Sequence, residues 1–535
     1  MYANQRSDIV IEIIAFCITT NIIRIMFSII SYPYHRAQHF VDSVGMYRLV
    51  LGSLGALAIC SILAGFANLL PYSGLSQLFT LALALLTALL LNWVIALILK
   101  IPANHESAAI SAFILFFLAI PESDIFANWP LVLAVAIAIV SKFILAYKKQ
   151  HFLNPAAIGA AALSVTGIYK FSWWVANPVL FIPLLMVGIL VVMKVRRWVP
   201  VLTFIMVSLI IYLAEAIRYG DQLSTMLSTF FMSWPTLFLA FYMLTEPFTM
   251  PAMKGPQILY AGLVGFLSNS SLFASIILIT PELALVIANT AMMPWRLRQK
   301  LYLQFLEKRQ IAKDTYEFIF KKPEGFSFNA GQYLEWMLAH TNPDSRGVRR
   351  YFTIASSPTE DEVHLAFKFI ARGSSYKHEL MHLDIGKKII ASQLGGDFVL
   401  PEVPEVKLAL IAGGIGVTPF RSHIQYMVDT GMVHDTKLFY CCNTIAEMAY
   451  QAVFSNAAEY IPLEVIPVIA KETVPMPAET GYVTADLINR RAPDYAERVW
   501  YISGPPPMVQ AYYAVLKKMG IPKKQIKRDF FSGVA

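Results

Sequence analysis

The sequence predicts a multi-domain protein. A polytopic α-helical membrane domain of about ten spans occupies residues 1–295, a small β-barrel domain 296–401, and an α/β domain with a parallel sheet 402–535. Three observations carry this. Hydrophobic residues make up 57% of the 535 and charged residues only 15%, too apolar for a wholly soluble chain. The long apolar runs end near Trp295, and the charge density beyond it is that of a cytosolic protein. After Leu301 an alternating strand pattern appears, and beyond residue 401 apolar strands alternate with helical stretches, the signature of a parallel sheet.

In the apolar half, spans are expected near 47–70, 76–100, 107–121, 128–147, 155–175, 178–194, 199–217, 227–244, 256–269 and 272–294. The run 9–31 reads either as a further span or as a helix lying at the interface. It contains Glu12 and Arg24 and lacks a small-residue cleavage site, so a cleavable signal peptide is not expected. The connecting segments alternate in charge. Arg36, Arg48, Lys100, Lys148, Lys149, Lys194, Arg196, Arg197 and the cluster Arg296–Lys300 fall on one side, and Glu122 and Asp124 on the other. The positive-inside rule makes the basic side cytoplasmic, and an even number of spans returns the chain there. The expected location is the cell membrane, multi-pass, with the C-terminal half in the cytoplasm.

Composition also excludes several classes. The net charge of +8 arises largely from basic residues at the ends of apolar runs, so nucleic acid is not an expected partner. Cys17, Cys60, Cys441 and Cys442 show no Cys-x-x-Cys spacing, which argues against a zinc or iron–sulfur site, and the adjacent pair reads as strand filler. A haem relay needs histidine pairs on facing helices; His35, His39, His105 and His151 all lie at or outside span ends. No metal site is expected.

Three apolar stretches carry a resemblance: HFLNPAAIGAAAL (151–163), FYMLTEPFTMP (241–251) and TPELALVIANTAMMP (280–294). Together with the span spacing over roughly 40–295, they resemble the membrane flavin subunits of the sodium-pumping NADH:quinone reductase and the Rnf complex, the NqrB/RnfD family. Asn154-Pro155-Ala156 matches that family's Asn-Pro-Ala, and Thr245-Glu246-Pro247 its Thr-Asp-Pro with Glu for Asp. The family attaches FMN to a threonine in a Ser-Gly-Ala-Thr stretch. The corresponding segment here, GDQLSTMLSTFF (220–231), offers Ser224, Thr225, Ser228 and Thr229 but no Gly-Ala-Thr. The resemblance therefore leaves a second, non-covalent flavin or none in this half. Lys142, Glu215, Glu246 and Glu282 lie in or near spans, where ionisable groups are costly and point to function; helix packing and a solvated helix cap are the structural alternatives.

In the polar half the strongest signal is GVRRYFTIASSP, 347–358. It resembles the Arg-x-aromatic-Thr motif of the ferredoxin–NADP reductase superfamily. A flavin pyrophosphate needs a cation with forked donors, which Arg350 supplies. The isoalloxazine needs an aromatic or apolar wall, a role open to Tyr351 and Phe352. Thr353, by the resemblance, neighbours the flavin N5. The run KFIARGSSYKHEL follows at the superfamily's spacing; Gly373, Ser374 and Ser375 open a predicted helix whose N–H and hydroxyl groups suit the pyrophosphate. GGDFVLP, 395–401, ends the barrel. LALIAGGIGVTPF then runs from a strand through Gly413, Gly414 and Gly416 into a helix, with Thr418-Pro419 completing the superfamily's form. YISGPPPMV, 501–509, matches its Cys-Gly-Pro-Pro-x-Met turn at the nicotinamide, with Ser503 for Cys and with Gly504, Pro505 and Met508 kept. In the ending RDFFSGVA, Asp529 stands for the superfamily's Glu and Phe531 for its Phe, while Val534 replaces an aromatic.

The resemblance implies FAD as cofactor and a nicotinamide donor. CCNTIAEMAY has no Arg or Lys where a 2′-phosphate would sit, which favours NADH, with NADPH as the alternative. The expected function is a membrane-bound NAD(P)H oxidoreductase that passes electrons from NADH via FAD to a membrane acceptor or across the membrane. Thr353, Ser503 and Asp529 are its catalytic candidates. Quinone or another electron acceptor, the lipid bilayer and electron-transport subunits are the expected partners. Two other readings stay open: a quinone reductase whose membrane half is only a dock, and a transporter with a redox-sensing domain.

Overall fold

The computed structural model describes residues 37, 40, 41, 44–99, 104–147, 150–219, 223–251, 254–270, 278–295, 301–344, 347–370, 373–403, 406–472 and 478–530. The run 9–31, the cluster Arg296–Lys300, Phe531 and Val534 lie outside the described residues. The chain forms two compact units, one within residues 1–291 and one made mainly of 292–535, with 146–150 and 251–256 assigned to the second.

The first unit is helical: α1 (Met46–Phe66), α2 (Gly74–Leu99), α3 (His105–Leu118), α4 (Trp129–Ile144), α5 (Pro155–Val165), α6 (Pro178–Val195), α7 (Trp198–Tyr219), α8 (Leu223–Met232), α9 (Thr236–Phe238, continuing as a π-helix over Leu239–Met243), α10 (Lys254–Asn269) and α11 (Pro281–Ala291). Among the described residues, four helices (α1, α2, α6 and α7) are long and apolar enough to cross a membrane, and the pair Thr225–Met232 and Thr236–Met243 forms a fifth candidate bent by 42°. Among the described residues fewer straight spans are present than the apolar runs suggest, because several runs are interrupted. Asn104, Asn154 and Asn177 cap helix starts by accepting N–H groups three residues on, as N-caps do. α5 stops at Val165, well short of the expected 175, and the following chain folds back so that Ser172 and Trp173 donate N–H to the Leu118 carbonyl that ends α3. α3, α4 and α5 span 14, 16 and 11 residues, short of the roughly 20 a straight crossing needs.

The polarity of α2 is inverted relative to a water-soluble helix. Its buried face is Ser76, Gln77, Thr80, Ala84, Ala88, Asn92 and Ala96, spaced by about four. Leu86, Leu90, Trp93, Leu97 and Ile98 are exposed. Small and polar side chains inward with leucines outward is the packing of a helix whose surroundings are themselves apolar.

The second unit has two lobes. In the first, β1 (Leu301–Ala312), β2 (Thr315–Lys321), β3 (Tyr333–Met337), β4 (Arg349–Thr353), β5 (Glu362–Lys368) and β6 (Lys388–Gly395) form an antiparallel sheet in the order β4-β3-β6-β1-β2-β5. A register shift between Phe305 and Glu307 bends β1, so that it pairs with β6 over its first residues and with β2 over the rest. The Ala355 N–H reaches the His364 carbonyl across the remaining gap. Phe305, Phe318, Leu334, Trp336 and Phe367 fill the interior, with Tyr376 and Leu380 from α12 (Ser375–Met381).

In the second lobe, β7 (Leu408–Gly413), α13 (Thr418–Thr430), β8 (Thr436–Cys442), α14 (Gln451–Ala457), β9 (Leu463–Ile469), β10 (Glu479–Thr480), α15 (Ala485–Arg491), β11 (Val499–Gly504), α16 (Pro506–Lys518) and β12 (Ile526–Phe530) build a parallel sheet in the order β10-β9-β8-β7-β11-β12. The predicted helix near 445–458 is broken: a 3-10 turn covers Ile445–Glu447 and α14 begins only at Gln451. Between them Tyr450 adopts φ 61° and its hydroxyl donates to the Glu317 carboxylate of the barrel at 2.8 Å. Tertiary bonding overrides helix propensity there. The cysteines on β8 behave as strand filler: burial pushes the Cys441 and Cys442 thiols up to about 12, which leaves them inert.

A polar seam joins the lobes. The Arg421 Nη2 meets Glu360 at 2.8 Å, the Ser422 hydroxyl donates to the Ser356 carbonyl at 2.6 Å, and the Tyr450 hydroxyl donates to Glu317, which within the barrel also lies 3.2 Å from the His364 Nδ1. Burial alone would raise the Glu317 carboxyl, but His364, Tyr450 and Arg421 together hold it below the usual range. A carboxyl depressed in the folded state stabilises above its unfolded pKa of about 4.3 and loses that contribution as pH falls through the folded value. Glu317→Gln should therefore be less stable than wild type near neutral pH, and the gap should close on acidification below about pH 4.3. Denaturant midpoints measured across that range check the sign.

Candidate functional site

The C-terminal ends of β7, β11 and β12 lie side by side. The register pairs Ser503 with Ala412 on one flank and with Asp529 on the other. From β7 the chain builds outward through β8, β9 and β10, then returns to β11 on the other side of β7. This is the point where strand order reverses, and open parallel sheets bind ligands outside the strand ends at such a point.

The glycines there are demanded by close backbone approach. A Cβ on Gly416 would sit 2.6 Å from the Gly504 Cα and 2.7 Å from the Ser503 carbonyl. One on Gly413 would run into Met508 and Pro505, and Gly504 has φ 154°, where any side chain is strained. Gly413, Gly416, Gly504, Pro505 and Met508 are thus one packed unit. Gly414, at φ 52°, makes the turn, and Thr418 and Pro419 open α13. The Ser503 side chain is fully buried, and its hydroxyl has no hydrogen-bond partner among the described residues.

On the barrel, the pleat of β4 sends its residues to two faces. Arg350 and Phe352 point toward α12: the guanidinium lies over the Tyr376 ring at 5.4 Å, and Phe352 is half-buried against Phe367 and Tyr376. Tyr351 points the other way, 43% exposed and edge-on to Tyr333 at 5.6 Å. The structure thus separates the two aromatics. Tyr351 presents the open ring surface, and Phe352 is the one that packs on the core. Thr353 is buried, and its hydroxyl, like that of Ser503, has no hydrogen-bond partner among the described residues. Buried hydroxyls are almost always bonded. Two orphaned ones, each at a position singled out from sequence, fit polar atoms of a bound group.

The Arg350 Nη2 donates to the Ser374 hydroxyl at 3.0 Å and to Asp344 at 2.7 and 2.9 Å. Ser374 in turn donates to the Asp344 Oδ2 at 3.1 Å, as does the Ser375 N–H at 3.2 Å. Gly373 makes the preceding turn; a Cβ there would lie 2.7 Å from the Ile370 carbonyl. α12 has only seven residues, so these donors act individually rather than through a large helix dipole. The predicted residues Arg350, Gly373, Ser374 and Ser375 are therefore together. Asp344 and His340, whose Nε2 meets the Ser375 hydroxyl at 2.9 Å, were not singled out from sequence. Asn-Pro-Asp-Ser reads as a turn, and nothing local says that its carboxylate reaches a serine about thirty residues on.

The first unit contains a cavity of its own, a space of about 590 Å³ including its mouth. Tyr47, Ser107, Ser111, Asn154, Tyr242 and Glu246 are its polar lining, with Val50, Ile110, Ile114, Val191 and Val195 among the apolar walls. Both apolar-half motifs meet here. Asn154 caps α5, takes the Asn289 side-chain oxygen on its N–H at 2.8 Å and donates to the Met243 carbonyl at 3.3 Å. Glu246 meets the His151 Nε2 at 3.2 Å and the Thr249 hydroxyl at 3.2 Å. The π-helical turn Leu239–Met243 runs directly into Thr245-Glu246-Pro247; such turns are frequent at functional sites. The other flagged ions differ. Glu282 is satisfied by Ser164 at 2.7 Å and Trp173 at 3.1 Å, a structural role. Lys142 donates to the Ser107 carbonyl at 2.8 Å, and Glu215 pairs loosely with Arg218 at 3.9 Å. Residues 223–231 of the segment matched to the flavin-attachment stretch form α8, and Glu246 follows the far end of the bent pair α8–α9. A small space of about 160 Å³ lies at the junction of α8 and α9, beside Trp234, Pro235 and Asn269.

A family described as the oxidoreductase NAD-binding domain matches residues 410–513. The chain is similar to the glycine betaine monooxygenase reductase subunit of Chromohalobacter salexigens, 27% identical over 41% of this chain and 60% of that protein. It is similar to the propane 2-monooxygenase reductase component of Rhodococcus jostii, 27% identical over 40% of this chain and 58% of that one. The chain thus spans about 60% of the length of these relatives. Among solved structures, an Amycolatopsis cytochrome P450 reductase aligns at 24% identity and a TM-score of 0.40, over 44% of this chain and 71% of that one. The C-terminal half carries an oxidoreductase NAD-binding domain.

Proposed function

We propose that this protein is a membrane-bound, FAD-dependent NAD(P)H oxidoreductase that passes electrons from NADH to an acceptor in the membrane or across it. The observation that carries the reading is one pairing within the second unit: an anion cradle at Arg350 and Ser374, and a glycine-lined crevice at the strand-order reversal. The residues fit both groups. Arg350, Ser374 and Ser375 would hold the FAD pyrophosphate, Tyr351 would flank its ring, and Thr353 would offer the orphaned hydroxyl. Gly413, Gly414 and Gly416 let backbone N–H groups approach the dinucleotide. Ser503, with Gly504, Pro505 and Met508, shapes the nicotinamide end, and Asp529 stands beside it. Bound FAD supplies the capacity to accept a hydride and release electrons singly. The chain's own part is to align the two groups and exclude water between them.

NADH is the donor favoured at the turn after β8. The Glu472 carboxylate accepts the Ile445 N–H at 2.9 Å there, where a 2′-phosphate would need a cation. NADPH is the alternative that Lys471, bonded through its backbone to Asn443, keeps open.

The bilayer is the proposed setting of the first unit, on the strength of its four long apolar helices and the inverted polarity of α2. The cavity at Glu246 is its proposed acceptor site, for a quinone or for a second, non-covalent flavin. A second reading follows from the relatives, which are named reductase components of monooxygenases: electrons leave to a separate oxygenase subunit. Anaerobic addition of NADH to the purified full-length protein should bleach the oxidised flavin. Re-oxidation by added quinone supports the membrane route, re-oxidation only by a protein partner supports the second reading, and no bleaching removes both.

Ser503→Ala and Asp529→Asn are each expected to slow flavin reduction by NADH on the order of tenfold, the size of one lost hydrogen bond, while FAD stays bound. Stopped-flow reduction at wild-type rates in both variants would place the nicotinamide elsewhere.

A further inference from the structure

We infer that Asp344 is an internal competitor for the FAD pyrophosphate, occupying its cradle until the cofactor displaces it. The inference rests on the reading of Arg350 as the pyrophosphate's cation. Three of the donors assigned to that pyrophosphate converge on one carboxylate, while the Arg350 Nη1 is held by the Gly347 and Arg349 carbonyls. The Arg350 Nη2 reaches both oxygens of Asp344 at 2.7 and 2.9 Å, the Ser374 hydroxyl reaches Oδ2 at 3.1 Å, and the Ser375 N–H reaches the same oxygen at 3.2 Å. A guanidinium, a hydroxyl and a backbone N–H converging on two anionic oxygens is the recognition pattern of a phosphate group. The carboxylate is a planar, singly charged stand-in for it.

Charge decides between a competitor and a permanent bracket. A diphosphate brings two anionic groups, and Asp344 cancels the Arg350 charge that would receive them. If the carboxylate stayed, it would lie beside the phosphate oxygens and repel them through a partly buried, poorly screened space: Arg350 is 12% exposed and Asp344 26%. The backbone around Asp344 is held independently of its carboxylate. Its N–H donates to the Ser375 hydroxyl at 2.9 Å and its carbonyl accepts the Gly347 N–H at 2.9 Å. A side-chain rotation therefore empties the cradle without unfolding the loop. The donors stay paired when no cofactor is present, which spares an uncompensated buried cation, and FAD binds more weakly than the cradle alone would allow.

The test uses full-length protein in detergent, stripped of flavin, with Asp344→Asn and Asp344→Ala compared with wild type. FAD affinity is read by quenching of flavin fluorescence, and inorganic pyrophosphate affinity by calorimetry. Both variants should bind FAD about tenfold more tightly, the effect of removing one screened like-charge contact. Both should also bind pyrophosphate more tightly, while riboflavin, which lacks the pyrophosphate, should bind all three proteins equally. Unchanged or weaker FAD and pyrophosphate binding in both variants would overturn the inference and make Asp344 a positioning residue for Arg350. Tighter pyrophosphate binding in the variants with no FAD binding by any protein would uphold the competitor and instead remove the FAD reading.

Discussion

Arg350→Ala is expected to strip FAD from the protein, weakening its retention by about a hundredfold or more. The guanidinium is the cation of the cradle, its Nη2 serving the Ser374 hydroxyl at 3.0 Å and the Asp344 carboxylate, the pyrophosphate's stand-in, at 2.7 and 2.9 Å. Charge-assisted bonds of this kind contribute about 1.5–3 kcal/mol each, and two of them correspond to at least two orders of magnitude in dissociation constant. Arg350→Lys should recover little of this, because an ammonium cannot present a planar fork and would leave the face of the Tyr376 ring. The prediction has an internal control in Asp344→Asn, which acts on the same cradle with the opposite sign. Flavin content per chain after gel filtration reads both. Wild-type flavin in Arg350→Ala would move the pyrophosphate elsewhere and take the competitor role of Asp344 with it.

What sequence reveals about this protein divides by the range of the interactions involved. Glycine positions are local statements about backbone space, and Gly413, Gly416 and Gly504 stand where no Cβ fits. The parallel sheet was readable because each strand is an apolar run flanked by turn residues. The carboxylate in the cradle was not, because Asp344 meets Ser374 and Arg350 only through tertiary folding. The same holds for the broken helix at Tyr450, whose hydroxyl is committed to Glu317, 133 residues away. In the apolar half, hydropathy marks where helices lie but not how long they run. Asn-Pro starts and the irregular return over 166–176 shorten them, and composition averages over both. Hydropathy also marks Glu246 and Glu282 alike as ions in an apolar setting. Only packing shows that Ser164 and Trp173 satisfy Glu282, whereas Glu246 opens on a cavity.

That difference sets the second large expected effect. Glu246→Gln should lower NADH-driven reduction of a lipid-soluble quinone about a hundredfold, the scale of a lost proton-transfer group, and leave reduction of a soluble artificial acceptor unchanged. Glu246 is about one-fifth exposed and lies 3.2 Å from an equally sheltered His151. A carboxylate–imidazole pair beside a half-polar cavity can hold and pass on a proton, and a two-electron acceptor of this kind takes up protons as it is reduced. The lining residues come from the beginning of α1, α3 and α5, the end of α6 and the end of α9. The charge alternation read from the sequence leads to the expectation that these ends face the cytoplasm. On that expectation an acceptor here would take up its protons from the cytoplasmic side. Glutamine keeps the shape and the bond to Thr249 but cannot hold the proton, so packing and chemistry separate. Equal loss with both acceptors would mean that Glu246 matters for the fold. Equal retention would mean that the Asn-Pro-Ala and Thr-Glu-Pro segments only cap and kink helices, and the acceptor would have to be sought at a separate protein.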